Sequence, residues 1–274
     1  MTALALLLLT AAPSFDYKPQ PNSGKTLDEQ KSGDATVRNL EFHSGAREVK
    51  AYLVLPPGKG PFPAVLYVHW LGEVACDRSE FLNEAVGLAK HGVVSMLIDA
   101  PWSEKGWFDK RTTDHDYEDS IATVIELRRA LDVLVAQPEV DPNKVAYVGH
   151  DFGAMYGALL ASVDPRPRTF VLIAGTSHFA DWFLLGAQPK DKDAYVKKIS
   201  ELDPVSFIGK TKAPVFFQFS EKDQYVPTEK AKEFFDAAKG LKKMRSYPVD
   251  HQMSSTDGLG DRSRWLAKEL GFKL

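Results

Sequence analysis

Short, continuously apolar segments alternate with helical segments along most of this chain, and this pattern constrains the fold more than any other feature. Such segments, separated by helices, indicate a parallel sheet whose two faces are both covered. Two further segments, 37–43 and 48–55, predict an antiparallel pair leading into it. We therefore expect an α/β fold with a mostly parallel sheet of about eight strands. The predicted strands of this sheet are 63–69, 93–99, 145–148, 169–175, 214–219 and 243–248, and the predicted helices are 78–91, 117–136, 154–161 and 228–240.

The first 36 residues differ from the rest. Residues 4–9 form an apolar run followed by small residues, which indicates a signal peptide over residues 1–14, although no Lys or Arg precedes the run. The run is too short to span a bilayer, which needs about 20 residues. Residues 15–36 are polar and rich in Pro, Gly and Ser, so we expect a linker followed by a single domain over 37–274. The expected location is periplasmic or secreted, and otherwise cytoplasmic.

Composition excludes some classes of function. The 274 residues carry a formal net charge of −3, with 26% charged and 44% hydrophobic residues, which is typical of a globular domain and does not indicate nucleic-acid binding. The expected partner is a small-molecule substrate. Cys76 is the single cysteine, so neither an internal disulfide nor a cysteine zinc cluster is possible. No metal and no cofactor are expected. The oligomeric state stays open.

The stretch Gly149-His150-Asp151-Phe152-Gly153 follows a predicted strand and precedes a small-residue helix. This is the layout of a nucleophile elbow, with aspartate where serine is usual, and no G-x-S-x-G occurs elsewhere in the chain. In open α/β sheets, functional groups collect at the carboxyl ends of strands. Asp223 and His251 follow the last two predicted strands, so the chain order is nucleophile, acid, histidine. Asp181 is an alternative acid.

Residues 37–274 resemble the α/β-hydrolase superfamily, and most closely its dienelactone-hydrolase-like and acetyl-esterase-like branch. The segments that carry the resemblance are "PFPAVLYVHWLG", "IDAPW" and "LDPVSFIGKTKAPVFFQFSEKDQYVP". The aspartate in the elbow resembles that of epoxide hydrolases, with haloalkane dehalogenases related. Those relatives carry a large cap and paired tyrosines, whereas this chain has only a short candidate lid at about 176–205, with the single Tyr195.

The resemblance, together with carboxylate chemistry, implies a mechanism. A carboxylate attacking an ester would give a mixed anhydride, whereas attack on a saturated carbon gives an ordinary alkyl ester that water can cleave. We therefore expect Asp151 to attack an epoxide or alkyl halide, His251 to activate water, and Asp223 to orient His251. The backbone N–H groups of Phe152 and of Trp70 or Leu71 would hold the oxyanion.

Two alternatives remain open. One is an esterase or lactonase in which Asp151 is a general base, and the other is a catalytically silent binding protein. His69 and His150 are expected to be structural. Aromatic residues in the loops after the fourth and sixth predicted strands, and in the lid, are expected to line a small apolar pocket; they are Trp102, Trp107, Phe108, Trp182, Phe183 and Tyr195.

Overall fold

The structure of the protein is a computed structural model that describes residues 12–20, 22, 24–72 and 76–274. Within these ranges, nine strands form one sheet. The strands are β1 (Lys25–Ser32), β2 (Ala35–Ser44), β3 (Arg47–Leu55), β4 (Phe62–Val68), β5 (Val94–Ile98), β6 (Val140–His150), β7 (Pro167–Ile173), β8 (Val215–Ser220) and β9 (Lys242–Tyr247).

The order of the strands across the sheet is β1-β2-β3-β5-β4-β6-β7-β8-β9. Strand β1 pairs antiparallel with β2, β2 with β3, and β3 with β5. The remaining neighbours, from β5 across β4 to β9, pair in parallel. The predicted α/β class and the mostly parallel sheet are confirmed. The carboxyl ends of β4, β6, β8 and β9 consequently meet at one edge, which positions the candidate site.

Helices cover both faces of the sheet, because alternate residues of each buried strand point to opposite sides. The helices are α1 (Leu82–Ala89), α2 (Trp107–Lys110), α3 (Asp116–Val135), α4 (Phe152–Val163), α5 (Ala180–Phe183), α6 (Lys192–Ile199), α7 (Pro204–Ile208), α8 (Thr228–Ala237) and α9 (Thr256–Leu270). Leu66 and Val68 pack in a core shared with α3, α4, α7 and α8, whereas Val65 and Tyr67 pack in a second core shared with α1 and α9.

The predicted linker over residues 15–36 is corrected by the structure. Strand β1 lies within it and accounts for the ninth strand. Its backbone ladder to β2 needs no apolar pattern, and polar side-chain pairs such as Lys25 with Glu41 add to it. Phe15 is buried with its ring 5.7 Å from that of Phe207, and the Tyr17 hydroxyl donates to Asp132 at 2.7 Å. The predicted signal peptide lies mostly outside the described residues.

The segment predicted as a short lid, residues 176–205, holds α5 and α6 and follows β7. It places Trp182 beside the candidate catalytic residues. In the described part of the chain, no helix has the length and apolar character that crossing a membrane requires.

Candidate active site

Asp151 occupies a sharp turn between β6 and α4. Its backbone angles are φ 58° and ψ −118°, a strained conformation for a residue with a side chain, and its N–H donates to the carbonyl of Ile173 at 2.8 Å. Glycine is required at both flanking positions because neither has room for a Cβ atom. A Cβ on Gly149 would lie 2.3 Å from the Gly153 oxygen, and a Cβ on Gly153 would lie 2.5 Å from the Val68 oxygen. This is the geometry of a nucleophile elbow.

The structure brings the three predicted catalytic side chains together. His251 Nε2 lies 3.2 Å from Asp151 Oδ2, and His251 Nδ1 lies 2.9 and 2.8 Å from the two carboxylate oxygens of Asp223. Asp223 is held in turn by the N–H groups of Tyr225 and Val226, which donate to its Oδ1 at 2.8 and 2.9 Å. The alternative acid Asp181 instead bonds Thr176 and Lys230.

The two aspartates beside the imidazole of His251 stabilise its protonated, charged form. Burial opposes the charge on His251, but hydrogen bonds to Asp151 and Asp223 and their negative charges outweigh it and raise the pKa of His251 to about 9. Burial likewise opposes the charge on Asp223, yet the hydrogen bond from His251 dominates and the pKa of Asp223 falls below its usual value. At neutral pH the site therefore holds an imidazolium between carboxylates.

Two of the predicted oxyanion donors, the N–H groups of Phe152 and Trp70, are already hydrogen-bonded to carboxylate oxygens. The Phe152 N–H donates to Oδ1 of the preceding Asp151 through a short hydrogen bond. The Trp70 N–H donates to Glu80 Oε2 at 2.7 Å, so its predicted role as an oxyanion donor is not supported. This hydrogen bond joins two residues that are ten positions apart and lie outside the strands, so a strand pattern does not reveal it. Leu71 lies in the wall of the cleft.

A cleft of about 910 Å³ opens over Asp151 and His251. Phe108 and Trp182 line it as predicted. The other lining residues are Trp70, Leu71, Gly72, Gly106, Asp109, Phe152, Leu185, Gln224, Tyr225, Asp250 and Gln252. Within the described residues the wall thus combines aromatic rings with carboxylates and amides, and it is more polar than the small apolar pocket that we expected.

Four aromatic residues predicted for the pocket do not line it. Trp102 is buried, with its ring stacked on Tyr156 and its Nε1 donating to the His69 carbonyl at 3.0 Å. Trp107 and Phe183 both pack against the ring of Phe152. These rings contact one another, and aromatic pairs at such spacings add stability beyond the surface that they bury.

Tyr195 is the fourth correction. Its hydroxyl donates to Asp116 Oδ2 at 2.5 Å, and the same carboxylate pairs with Arg111. Burial and this hydrogen bond raise the pKa of Tyr195 far above its usual value, so the hydroxyl is a poor proton donor to a substrate. Its sequence position in the lid did not reveal this inward orientation.

The sequence reasoning missed Tyr225 and Glu80. The Tyr225 ring packs edge-on against His251 with centroids 5.0 Å apart and lines the cleft. Its position two residues after Asp223, in a loop at a strand end, is a signal that could have found it. Glu80 contacts His150, which the sequence treated as structural.

His69 is structural in its contacts. Its Nε2 accepts the Ala100 N–H at 3.0 Å, and its Nδ1 faces the Trp70 carbonyl at 2.8 Å. Burial lowers the pKa of His69 to about 4, so the ring is neutral. No group of three or more His, Cys, Asp or Glu side chains suited to a metal occurs in the ranges that the structure describes.

Comparisons with known proteins agree with this architecture. The sequence pattern described as "Esterase FrsA-like" matches residues 22–179, which include Asp151 but neither Asp223 nor His251. Esterase FrsA of Escherichia fergusonii is 28% identical over 145 residues, covering 52% of this chain and 33% of the relative. The chain thus spans about a third of the length of that curated relative.

Two further comparisons cover more of the chain. Esterase EstD of Thermotoga maritima is 23% identical over 264 residues, covering 79% of this chain and 60% of the relative. The solved acetyl xylan esterase from Paenibacillus sp. R4 has a TM-score of 0.76 at 16% identity, covering 92% of this chain and 90% of that one. The predicted α/β-hydrolase fold is confirmed by the solved structures, and the esterase part of the predicted resemblance is confirmed by the sequence matches.

Proposed function

The chain belongs to the FrsA-like esterase family, and from that premise we propose that it is a hydrolase that forms a covalent ester on Asp151. Its substrates are small electrophiles of the epoxide or alkyl-halide type. Asp151 is the nucleophile, His251 is the acid and base, and Asp223 orients His251. No metal or cofactor takes part in the proposed reaction.

The observation that carries this proposal is the way in which the Asp151 carboxylate is held. Oδ1 occupies the hydrogen bond from the Phe152 N–H, and Oδ2 lies beside His251 Nε2. A donor already bonded to Oδ1 is not free for the carbonyl oxygen of an external ester. It is well placed, however, for an oxyanion that develops on Oδ1 itself when water attacks the carboxyl carbon of an Asp151 ester.

In the first step, a carboxylate oxygen of Asp151 forms a bond to the substrate carbon, and the bond from that carbon to its leaving group breaks. A halide leaves with the electron pair as an anion. An epoxide oxygen becomes an alkoxide and needs a proton, which the protonated His251 can supply from Nε2. Tyr195 is excluded from that role because its hydroxyl donates to Asp116.

In the second step, His251 acts as a base. Esterification removes the negative charge of Asp151, which is one of the two charges that raise the pKa of His251. His251 is neutral once it has protonated an epoxide oxygen, whereas after a halide has left it first releases its proton to solvent. Neutral His251 then takes a proton from water, and the hydroxide attacks the carboxyl carbon of Asp151. The tetrahedral oxyanion on Oδ1 collapses, the alcohol leaves with the proton from His251, and the carboxyl group of Asp151 returns its proton to His251. This half of the reaction is itself the hydrolysis of an ester.

A second candidate is supported by the esterase names of the relatives. In it, Asp151 and His251 activate water directly against the carbonyl of an ester or lactone, and no covalent species forms. Phe152 would then have to release Asp151 before its N–H could bind the substrate oxygen.

The test is intact-protein mass spectrometry on the wild type and on His251→Gln after incubation with epoxides, alkyl halides, lactones and activated esters. His251→Gln should accumulate an adduct that maps to Asp151. An epoxide adds its whole mass, whereas an alkyl halide adds its mass less that of the hydrogen halide. Asp151→Asn should form no adduct. Asp181→Asn is the matched control, because it removes a carboxylate that bonds Thr176 and Lys230 and does not line the cleft, and it should leave turnover intact.

A single turnover in ¹⁸O-labelled water separates the two candidates. The covalent route puts the label into Asp151 and leaves the first product unlabelled. The direct route labels the product and leaves Asp151 unlabelled, which would refute the covalent proposal. Binding without turnover of any class would favour the silent binding protein.

A further inference from the structure

A second histidine and carboxylate lie directly behind the candidate catalytic residues and take no part in the proposed chemistry. His150 Nδ1 lies 2.6 Å from Glu80 Oε1, and His150 Nε2 lies 3.0 Å from the main-chain carbonyl oxygen of His251. Both partners are acceptors, so the ring satisfies both contacts only when each nitrogen carries a hydrogen. His150 is 1% exposed. A hydrogen on both nitrogens would make His150 a buried imidazolium paired with the Glu80 carboxylate.

The same pair also holds the loop after β4. Glu80 Oε2 accepts the N–H of Trp70 at 2.7 Å, while the Trp70 ring stacks on His150 with centroids 5.4 Å apart and planes at 5°. A flat stack of this kind stabilises a cation against an indole face. Three separate segments of the cleft, those carrying Trp70, Asp151 and His251, thus meet at His150.

We propose that charged His150, clamped by Glu80, is a positioning residue that fixes the backbone of His251 relative to Asp151 and sets the ease with which His251 loses its proton. This rests on the proposed function, in which His251 is the acid and base. Asp223 orients the imidazole of His251 through its ring nitrogen, whereas His150 anchors the main chain of the same residue.

The charge of His150 gives this role a measurable consequence. The rings of His150 and His251 are 5.8 Å apart, so a cation on one disfavours a cation on the other. The charged groups that face His251 are therefore Asp151 and Asp223, which favour its protonation, and His150, which opposes it. The other rings that contact His251 are those of Trp70, Trp182 and Tyr225, and Asp250 precedes His251 in the chain.

The first measurement needs no variant. Ring ¹⁵N spectra of the full-length protein, assigned with His150→Gln and His251→Gln, should show hydrogen on both nitrogens of His150 at pH 7. A ring nitrogen of His150 without hydrogen at that pH would overturn the proposal. This readout is independent of turnover, so it remains informative if no substrate in the panel reacts.

The second measurement is the pH titration of His251 in His150→Gln. Loss of the neighbouring cation should move the midpoint to higher pH by about one unit or more. His91→Gln is the control, because His91 bonds the carbonyl of Lys273 at the chain terminus and should leave the midpoint unchanged. An unchanged midpoint in folded His150→Gln, or one at lower pH, would overturn the proposal.

For any substrate that the protein turns over, His150→Gln should lower kcat about tenfold or more, with KM within about twofold, because the variant disturbs alignment rather than binding. If His150→Gln does not fold, Glu80→Gln takes its place, since it keeps the size of the side chain: its amide oxygen can accept the Trp70 N–H, and its amide nitrogen can donate only to a neutral His150. The doubly protonated signature of His150 should then disappear at pH 7, and its persistence would count against the proposal.

Discussion

Replacing His251 by glutamine should change how the stability of this protein depends on pH. His251 has a pKa of about 9 in the folded protein, because the two carboxylates outweigh burial, against about 6.5 in an unfolded chain. A group whose pKa is raised by folding stabilises the protein fully below its unfolded pKa, and that contribution is lost as pH rises through its folded pKa. The relevant window is therefore pH 6.5 to 9 and just above.

The size of the effect follows from the two pKa values. Linkage gives about 2.5 kcal/mol of stabilisation from His251 at pH 7, falling almost to zero at pH 10. The free energy of unfolding of the wild type should thus fall between pH 7 and pH 10 by about 2.5 kcal/mol more than that of His251→Gln. His178, whose pKa hydrogen bonding to Asp203 raises to about 8, titrates in the same window but contributes equally to both proteins.

Urea unfolding at pH 7, 8, 9 and 10, followed by circular dichroism, measures the difference directly. Parallel pH profiles for the two proteins would refute the reasoning, because they would show that the carboxylates do not stabilise a charged His251. The reasoning would also be refuted if the free energy of unfolding of the wild type, relative to that of His251→Gln, increased from pH 7 to pH 10. That is the sign expected for a histidine that is buried in its neutral form.

Three further changes test separate parts of the site. Asp151→Asn removes one of the two charges that favour protonated His251, so the His251 titration followed by NMR should move to lower pH; an unchanged midpoint would contradict the proposed coupling. Gly153→Ala places a Cβ 2.5 Å from the Val68 oxygen and should cost about 1–3 kcal/mol in thermal unfolding; wild-type stability would show that the elbow can widen freely. Tyr195→Phe leaves Asp116 without one of its donors and should cost about 1–3 kcal/mol while turnover stays unchanged; loss of turnover would show that this hydroxyl serves the cleft after all.

The fold and the three central residues could be predicted because they depend on local pattern and chain order. Continuous apolar strands require a covered parallel sheet, and the carboxyl ends of parallel strands converge. Asp151, Asp223 and His251 each follow such a strand, so their meeting follows from backbone topology. Gly149 is equally local, since a Cβ there would meet the oxygen of Gly153, whereas Gly153 is required by the distant Val68.

The walls and the supports of the site could not be predicted in this way. Glu80 and His150 are 70 positions apart, and Tyr195 and Asp116 are 79 apart, so no periodicity relates one to the other. Strand β1 pairs through its backbone, and its polar composition therefore suggested a linker.

Sequence alone thus determined which backbone ends converge and which reactive groups they carry. Only the tertiary structure decided where each side chain points, which N–H is committed to which acceptor, and which aromatic rings reach the cleft. The physical reason is that side-chain orientation follows from close packing and from the pairing of buried polar groups, and both depend on neighbours that are distant in sequence.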